Sequence, residues 1–280
     1  MNQTFELAIF LIVILMILGI IMNSYEQAND KIVKTQEVNN MEKMLVEFCD
    51  NLINNPGTPT NWHEYETGTP GLSIINSEGE TIPNSVSYEK LIVLSKNYDK
   101  LITKKYFDSK IKTRMELTPK SSSISSVKIG DDNPGDMIYT VSRMVKCDFY
   151  KKYVIKDFEN EGKCNHRHSQ EKYSCNYFKI FKGNLKKTDY YLLTDEDLSY
   201  IIDTTRVVKE RDWQTITSEC IYLNPLIDFY DDTSAIVFIH LNKPAAKAFI
   251  ISTPKDFNPD NLKYDYFKTN ECEFRIQGWY

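Results

Sequence analysis

One apolar run near the start of the chain constrains the protein more than any other feature. Residues 5–22 are all apolar or glycine, with the single exception of Glu6. As an α-helix, a run of this length rises roughly 27 Å, which is enough to cross the hydrocarbon core of a membrane. The sequence therefore predicts a membrane anchor over residues 1–24, followed by an extracellular part that this helix holds.

A cleaved signal peptide is the alternative to an anchor. Such a peptide has a basic start, a shorter apolar core and a cleavage site made of small residues. Here the first basic residue is Lys31, and residues 23–25 read Asn-Ser-Tyr. Both features favour an uncleaved anchor.

Glu6 is the one charged residue inside the apolar run. A carboxylate at the middle of a membrane costs about 2.5 to 3.5 kcal/mol, so it needs either water or a partner. Two interpretations are open. Either Glu6 reaches the membrane interface near the start of the helix, or it pairs with a positive group on a neighbouring chain.

Two signals disagree about the side of the membrane on which the rest of the chain lies. Lys31 and Lys34 follow the apolar run, and the positive-inside rule would keep that side in the cytoplasm. An even number of cysteines without a Cys-x-x-Cys motif instead argues for disulfide bonds in an oxidising space. We give the cysteines more weight, because large domains translocate largely regardless of charge. The disulfide candidates are Cys49, Cys147, Cys164, Cys175, Cys220 and Cys272.

The start of the chain resembles a known family. Gln3 and Glu6 come directly before the unbroken apolar run, an arrangement similar to the start of archaeal type IV pilin-like proteins, which carry a class III signal peptide. A second resemblance to the same proteins lies in residues 55–62 (NPGTPTNW), the Pro-Gly-Leu of residues 70–72 and the Lys90 segment. Together the two resemblances cover residues 1–120.

This resemblance implies a membrane-anchored surface protein of an archaeon, with a methanogen as the expected source. Phe5 and Glu6 would take part in assembly, and the expected partners are the membrane and other subunits, in a homo- or hetero-oligomer. We expect residues 55–62 to have a structural role, with Pro and Gly setting turns and Trp62 filling the junction between stalk and head.

A helical stalk is predicted over residues 25–55. An apolar stripe with spacings of three and four residues runs along it, formed by Val38, Met41, Leu45, Phe48 and Leu52. The stripe could be a coiled-coil seam, but two heptads are short, and packing onto its own domain is the preferred interpretation. The helix is expected to end at residues 54–57, where Asn-Asn-Pro-Gly occurs.

Beyond the stalk, the sequence predicts a mixed segment over residues 56–120 and a β-rich extracellular domain over residues 121–280. Short helices are expected at residues 87–97, with Leu91 and Leu94 facing inward, and at residues 106–111. Short apolar or alternating runs predict strands at residues 137–145, 177–181, 190–194, 235–241, 248–253 and 273–279. Their spacing leaves no room for crossover helices, so the predicted class is α+β with an antiparallel sheet or sandwich.

Metal-binding chemistry is concentrated in one cluster. Cys164, His166, His168 and Cys175 lie within twelve residues, and thiolates and imidazoles are ligands of zinc. The spacing matches no known zinc module, and residues two apart in a strand point to opposite faces. A disulfide bond between Cys164 and Cys175 is therefore the preferred prediction, and the four residues remain weak metal candidates.

The remaining candidate sites carry less information. Acidic runs at residues 195–197 and 228–232 lack the spacing of a calcium-binding loop and are interpreted as solvated turns. His63 and His240 are interpreted as structural histidines, and no known nucleophile, phosphate-binding or dinucleotide motif occurs. Lys and Arg are spread evenly in a chain with a net charge of −5, which gives no basic patch for nucleic acid. The sequence thus predicts no enzyme, no cofactor and no nucleic-acid partner.

Three functional classes remain. The preferred one is a pilin-like structural protein of the cell surface, a filament subunit or an accessory component. The second is a single-spanning adhesin whose head, in a chain with 18 Tyr and 14 Phe, contacts carbohydrate or another cell-surface ligand. The third is an extracellular hydrolase, whose paired carboxylates need only meet in space.

Overall fold

A computed structural model of the 280-residue chain describes most of its length. The described residues are 3–107, 109–120, 123–135, 138–160, 173–203, 214–215, 220–229 and 232–279. For residues 3–9, 34 and 37 the backbone alone is described.

The chain begins with one continuous helix, α1 (Gln3–Asn54), of 52 residues. At about 1.5 Å per residue it is roughly 78 Å long. None of the described side chains in its apolar part is buried, and Phe10 and Met22 are 65% and 67% exposed. By length and composition α1 is able to cross a membrane. The predicted anchor and stalk are parts of the same helix, which ends where the Asn-Asn-Pro-Gly sequence predicts.

The carboxyl-terminal part of α1, from Met41 onward, is packed against a sheet. Met41, Leu45, Phe48 and Leu52 are at most 6% exposed and belong to one apolar core. A Cβ atom at Gly278 would lie only 2.9 Å from Leu45 Cδ1, so the helix approaches the last strand as closely as a glycine permits. The prediction that the apolar stripe packs onto its own domain is confirmed.

Short helical elements follow α1. They are α2 (Trp62–Tyr65), α3 (Tyr88–Lys96), a π-helical turn (Asp99–Thr103) and α4 (Lys104–Tyr106). The 3₁₀ turns are Lys151–Tyr153, Lys182–Lys186, Asn224–Leu226, Pro259–Asn261 and Tyr264–Phe267.

The described part of the chain contains fourteen strands. They are β1 (Ser73–Ile75), β2 (Thr81–Val86), β3 (Lys112–Pro119), β4 (Val127–Gly130), β5 (Tyr139–Cys147), β6 (Val154–Asp157), β7 (Ser174–Phe181), β8 (Thr188–Thr194), β9 (Ser199–Asp203), β10 (Gln214–Thr215), β11 (Cys220–Tyr222), β12 (Ser234–Leu241), β13 (Ala248–Pro254) and β14 (Asn270–Trp279). The six predicted strands correspond to β5, β7, β8, β12, β13 and β14, and are confirmed.

The first lobe consists of a six-stranded sheet and the carboxyl-terminal part of α1, from Met41 onward. Its strand order is β1-β2-β5-β14-β3-β4, and its neighbours run antiparallel except for the short parallel pair β2–β5. The last strand of the chain, β14, lies between β5 and β3, near the middle of this sheet. The six-stranded sheet of the first lobe is therefore complete only when residues 270–279 pair with β3 and β5.

The second lobe, residues 150–269, is inserted between β5 and β14, which are themselves antiparallel neighbours. Its described residues form two four-stranded sheets, with orders β10-β9-β12-β7 and β11-β8-β13-β6. Side chains from both sheets share one core, for example Ile180 and Val237 from the first and Leu192 and Ile250 from the second. The predicted α+β class with a β-rich part is confirmed, and the second lobe is a sandwich.

The predicted short helices have different outcomes. The first is observed as α3, with Leu91 and Leu94 buried, although the Ser87 side chain makes no capping bond. The second, predicted over residues 106–111, is wrong, because the helical turns lie earlier and end at Tyr106. The segment after it turns into β3, whose inward side chains complete the core.

No two described cysteines are joined by a disulfide bond, and Cys49, Cys147 and Cys272 are buried free thiols. The prediction that most cysteines pair is wrong for these three. Cys147 and Cys272 are the nearest to a pair, but Cys147 lies opposite Asn270 and Cys272 opposite Val145, so the two are diagonal neighbours. Diagonal neighbours are about 7 to 8 Å apart, whereas disulfides typically join Cα atoms about 4.4 to 6.8 Å apart.

Candidate functional site at the junction of helix and head

Three sequence segments meet at the carboxyl end of α1, namely residues 55–62, residues 70–72 and the segment that contains Lys90. Trp62, the first residue of α2, is fully buried there. Its indole Nε1 donates a hydrogen bond to the carbonyl of Gly71 at 2.9 Å, which satisfies the one polar group of a large apolar side chain. Trp62 therefore binds the first of these segments to the second.

Two glycines make this close packing possible. Gly57 has a positive φ of 91°, and a Cβ there would lie 2.2 Å from Trp62 Cδ1. A Cβ at Gly71 would lie 2.2 Å from the Asn55 carbonyl oxygen and 2.4 Å from the Gly57 nitrogen. Since a side chain at either position would collide with the junction, both glycines are required by its geometry.

The end of α1 is capped by backbone from the head. The last carbonyls of a helix have no partner within the helix and need donors from elsewhere. The amide of Leu72 donates to the Leu52 carbonyl at 2.8 Å, and the amide of Ser73 donates to the Asn55 carbonyl at 3.1 Å. The helix is thus bonded directly to the start of the sheet.

Lys90, in the third segment, also bonds to the junction. Its Nζ donates to the Pro56 carbonyl at 2.8 Å and to the Ser73 carbonyl at 2.9 Å. Only 5% of the residue is exposed. The ammonium group lies just beyond the end of α1, where the partial negative charge of the helix dipole favours a cation.

Burial lowers the pKa of Lys90 from its ordinary value, and the charge of Asp148 opposes part of that shift. The sequence analysis named Lys90 only as part of a resemblance, and it predicted neither its place at the junction nor its role. A signal was present, because Lys90 lies four residues before Leu94 and so shares the inward face of α3. Because the ammonium donates to the Pro56 and Ser73 carbonyls, Lys90 links the chain just after α1 to the start of β1.

A second arrangement lies on the inserted lobe. Cys175 on β7 and His240 on β12 are directly opposite in the strand register. His240 Nδ1 lies 3.1 Å from Cys175 Sγ, and the two residues are 3% and 1% exposed. The sequence named Cys175 as a disulfide or metal candidate and His240 as a structural residue, without placing them together.

The other predicted site residues do not add to these two arrangements. Cys164, His166 and His168 lie outside the described residues. Glu196, in the first acidic run, accepts hydrogen bonds from Lys243 Nζ at 3.0 Å and from the Lys247 backbone amide at 2.8 Å, so its carboxylate is paired with one cation and one backbone donor.

The remaining assignments concern metals and assembly. No described group of three or more His, Cys, Asp or Glu side chains is placed to hold a metal ion. Phe5 and Glu6 lie within α1, and their side chains lie outside the description.

The chain was compared with family models, curated proteins and solved structures. No family model, no curated protein and no solved structure matches the chain.

Proposed function

We propose that this protein is a membrane-anchored, pilin-like structural protein of the cell surface, which assembles through α1 and carries its two lobes outside the cell. The observation that carries this proposal is the difference between the two ends of α1. The amino-terminal part is apolar and exposed, and the carboxyl-terminal part, from Met41 onward, packs one face against the first lobe.

The exposed apolar part of α1, residues 10–22, needs an apolar environment. Twelve large apolar side chains between residues 10 and 22 are at least 38% exposed. Burying side chains of this size is worth about 1.5 to 3 kcal/mol each, so leaving them in water costs on the order of 20 kcal/mol. A membrane satisfies this requirement, and so does a bundle of like helices.

The middle of α1 supports association between helices. Between Met22 and the first fully buried residue, Met41, lie 18 residues of mostly polar helix. Tyr25 is 74% and Ile32 is 57% exposed in this segment. Packing against the same segment of other subunits would bury such exposed apolar side chains and stabilise the segment.

The junction at the end of α1 fits the same role. Trp62, Gly71 and Lys90 bond the helix to the head through buried contacts. A rigid joint of this kind fixes the direction in which a head projects from a bundle of helices. This property is useful to a structural subunit and unnecessary for a solitary tethered domain.

Protease treatment of intact cells tests the anchor. The head should be cleaved from outside while the apolar part of α1 remains in the membrane fraction. A head that is protected in intact cells and cleaved only after lysis would place it in the cytoplasm, and the proposal would fail.

Electron microscopy and sedimentation of the protein extracted from membranes test assembly. Filaments or other high-mass assemblies are expected, and Glu6→Gln should reduce them, because the variant removes the charge that would pair with a neighbouring chain. Glu26→Gln, beyond the apolar run on the same helix, is the matched control. Single anchored heads in wild-type preparations would instead support the adhesin interpretation.

A further inference from the structure

A stripe of residues with heptad spacing runs along α1, from its apolar part into the segment beyond it. Residues spaced alternately by four and three positions line the face by which a helix packs in a coiled coil. In α1 this spacing joins Leu11, Leu15, Leu18, Met22, Tyr25, Asn29, Ile32 and Gln36. We call these eight residues the heptad stripe. It continues for roughly 20 Å beyond Met22.

The positions beyond Met22 carry the information, because residues 10–22 are apolar or glycine at every position. Between positions 23 and 37 the apolar residues are Tyr25, Ala28, Ile32 and Val33. The first and third belong to the heptad stripe, and the other two lie directly beside it on the helix. The apolar residues of this otherwise polar segment are thus gathered on one face of α1.

This face is exposed and lies away from the protein's own first lobe. Tyr25 and Ile32 are 74% and 57% exposed. Tyr25 lies 16 residues before the fully buried Met41, which at 3.6 residues per turn is roughly four turns and 160°. The heptad stripe and the residues that pack on the sheet therefore lie on nearly opposite faces of α1. A second helix can approach the stripe without meeting the lobe that α1 carries.

We propose that the heptad stripes of two copies of this chain pack together as a parallel, in-register coiled coil. The partner is a second copy, because copies anchored in one membrane by the same apolar segment hold the same residues at the same height. Tyr25 then meets Tyr25, and Ile32 meets Ile32. The inference rests on the proposed function and deepens it by naming the face and the orientation through which α1 associates.

Asn29 sets the register of this pair. A single polar Asn at a core position of a coiled coil specifies register, since it is best placed against the same residue of the partner. A shift by one heptad would set Asn29 of one copy against Met22 of the other and leave the amide without a polar partner. The in-register arrangement is therefore favoured over its nearest alternative.

The flanks of the stripe are compatible with a parallel pair of identical chains. In a parallel coiled coil, the residue just before one core position faces a residue of the partner five positions later. The pairs that this rule gives beyond the apolar run are Ile21 with Glu26, Ala28 with Val33, and Thr35 with Asn40. Each of these pairs holds at most one charge, so two identical chains do not repel each other there.

Cysteine cross-linking in isolated membranes tests which face is used. Under mild oxidation with copper phenanthroline, Tyr25→Cys and Ile32→Cys should each give disulfide-linked dimers of the full chain. Asp30→Cys and Lys31→Cys, which are exposed on α1 but outside the heptad stripe, should give about tenfold less. The unaltered protein measures any contribution of the native cysteines. Equal cross-linking at all four positions would overturn the proposal.

Mixtures of two differently tagged chains test the register. A Tyr25→Cys chain should cross-link with another Tyr25→Cys chain and not with an Ile32→Cys chain, because the two positions are roughly 10 Å apart along the helix. Cross-links between unlike positions as abundant as those between like positions would refute the in-register arrangement.

A substitution without cysteine tests the energetics. Ile32→Asp places a carboxylate in the apolar seam and should weaken dimerisation in detergent by about tenfold or more, as measured by sedimentation equilibrium. Lys31→Asp, the matched control one position away, should leave the dimer unchanged. Dimerisation of Ile32→Asp as strong as that of the control would contradict the assigned face.

The outcomes separate this inference from the proposed function. A wild-type protein that is monomeric in membranes and in detergent contradicts both. High-mass assemblies with cross-links at Asp30→Cys or Lys31→Cys, and none at Tyr25→Cys or Ile32→Cys, support assembly through α1 and refute the heptad stripe as its interface.

Discussion

Lys90→Met separates the role of a buried cation from the role of its apolar stem. The substitution keeps a side chain of similar length, which still covers the apolar surface beside it, but removes the ammonium that bonds the Pro56 and Ser73 carbonyls. A buried carbonyl that loses its donor costs about 1 to 3 kcal/mol. Burial disfavours the charge of Lys90, so removing that charge stabilises the folded state and offsets part of this cost. The expected net destabilisation is about 2 kcal/mol.

Denaturant unfolding of the full-length protein in detergent measures this difference. Trp62 and Trp279 are both buried in the first lobe. With the third tryptophan removed by Trp213→Phe in every variant, fluorescence reports the unfolding of the lobe that contains the junction. Lys96→Met, at an exposed position of the same helix, is the matched control and should change stability by less than about 0.5 kcal/mol. A Lys90→Met protein as stable as the control would refute the role assigned to the ammonium group.

The pH dependence of the same comparison tests the electrostatic part of the argument. Because burial lowers the pKa of Lys90, the folded protein loses this proton at a lower pH than the unfolded chain does. Between the lowered pKa and the ordinary value of 10.5, the unfolded state binds more protons, and stability rises with pH. The stability of wild type relative to Lys90→Met should therefore increase as the pH approaches 10.5. A decrease over this range would mean that folding raises the pKa of Lys90.

Three further predictions concern packing and reactivity. Gly71→Ala should destabilise the first lobe by more than about 2 kcal/mol because of its collisions with backbone, whereas Gly183→Ala, with no atom within 4 Å of the added Cβ, should be nearly neutral in the same unfolding assay. Leu45→Ala should cost about 2 to 5 kcal/mol, while Ile17→Ala, at an exposed position, should not affect unfolding of the head. Burial raises the pKa of Cys272 to about 12, so iodoacetamide at pH 8 should modify this thiol only after denaturation, as read by peptide mass spectrometry; rapid modification of the native protein would contradict its burial.

Much of the local structure could be predicted from the sequence. The 3-and-4 spacing of the stripe from Met41 to Leu52 identified the buried face of α1, and alternating apolar runs located six strands. The end of α1 followed from Pro56 and Gly57, because neither residue continues a helix easily. These predictions succeeded because each depends on residues that are close together in the chain.

The predictions that failed depended on distant residues. Disulfide pairing requires two cysteines in register, and Cys147 and Cys272 are offset by two positions on neighbouring strands. The helix expected over residues 106–111 is wrong because the helical turns end at Tyr106 and β3 begins at Lys112. The start of β3 is set by its pairing with β14 at the other end of the chain, and not by the residues just before it.

The sequence by itself determined that this protein has a long apolar helix, a stripe by which that helix packs, and a β-rich remainder. Only the tertiary structure decided that β14 returns to the middle of the first sheet, that Lys90 bonds the end of α1, and that Cys175 lies beside His240. Helical and strand periodicity is set by neighbours a few residues apart, so it is visible in the sequence. The position of a strand in a sheet is set by contacts between residues far apart, here 65 positions for Cys175 and His240, and no local pattern encodes that choice.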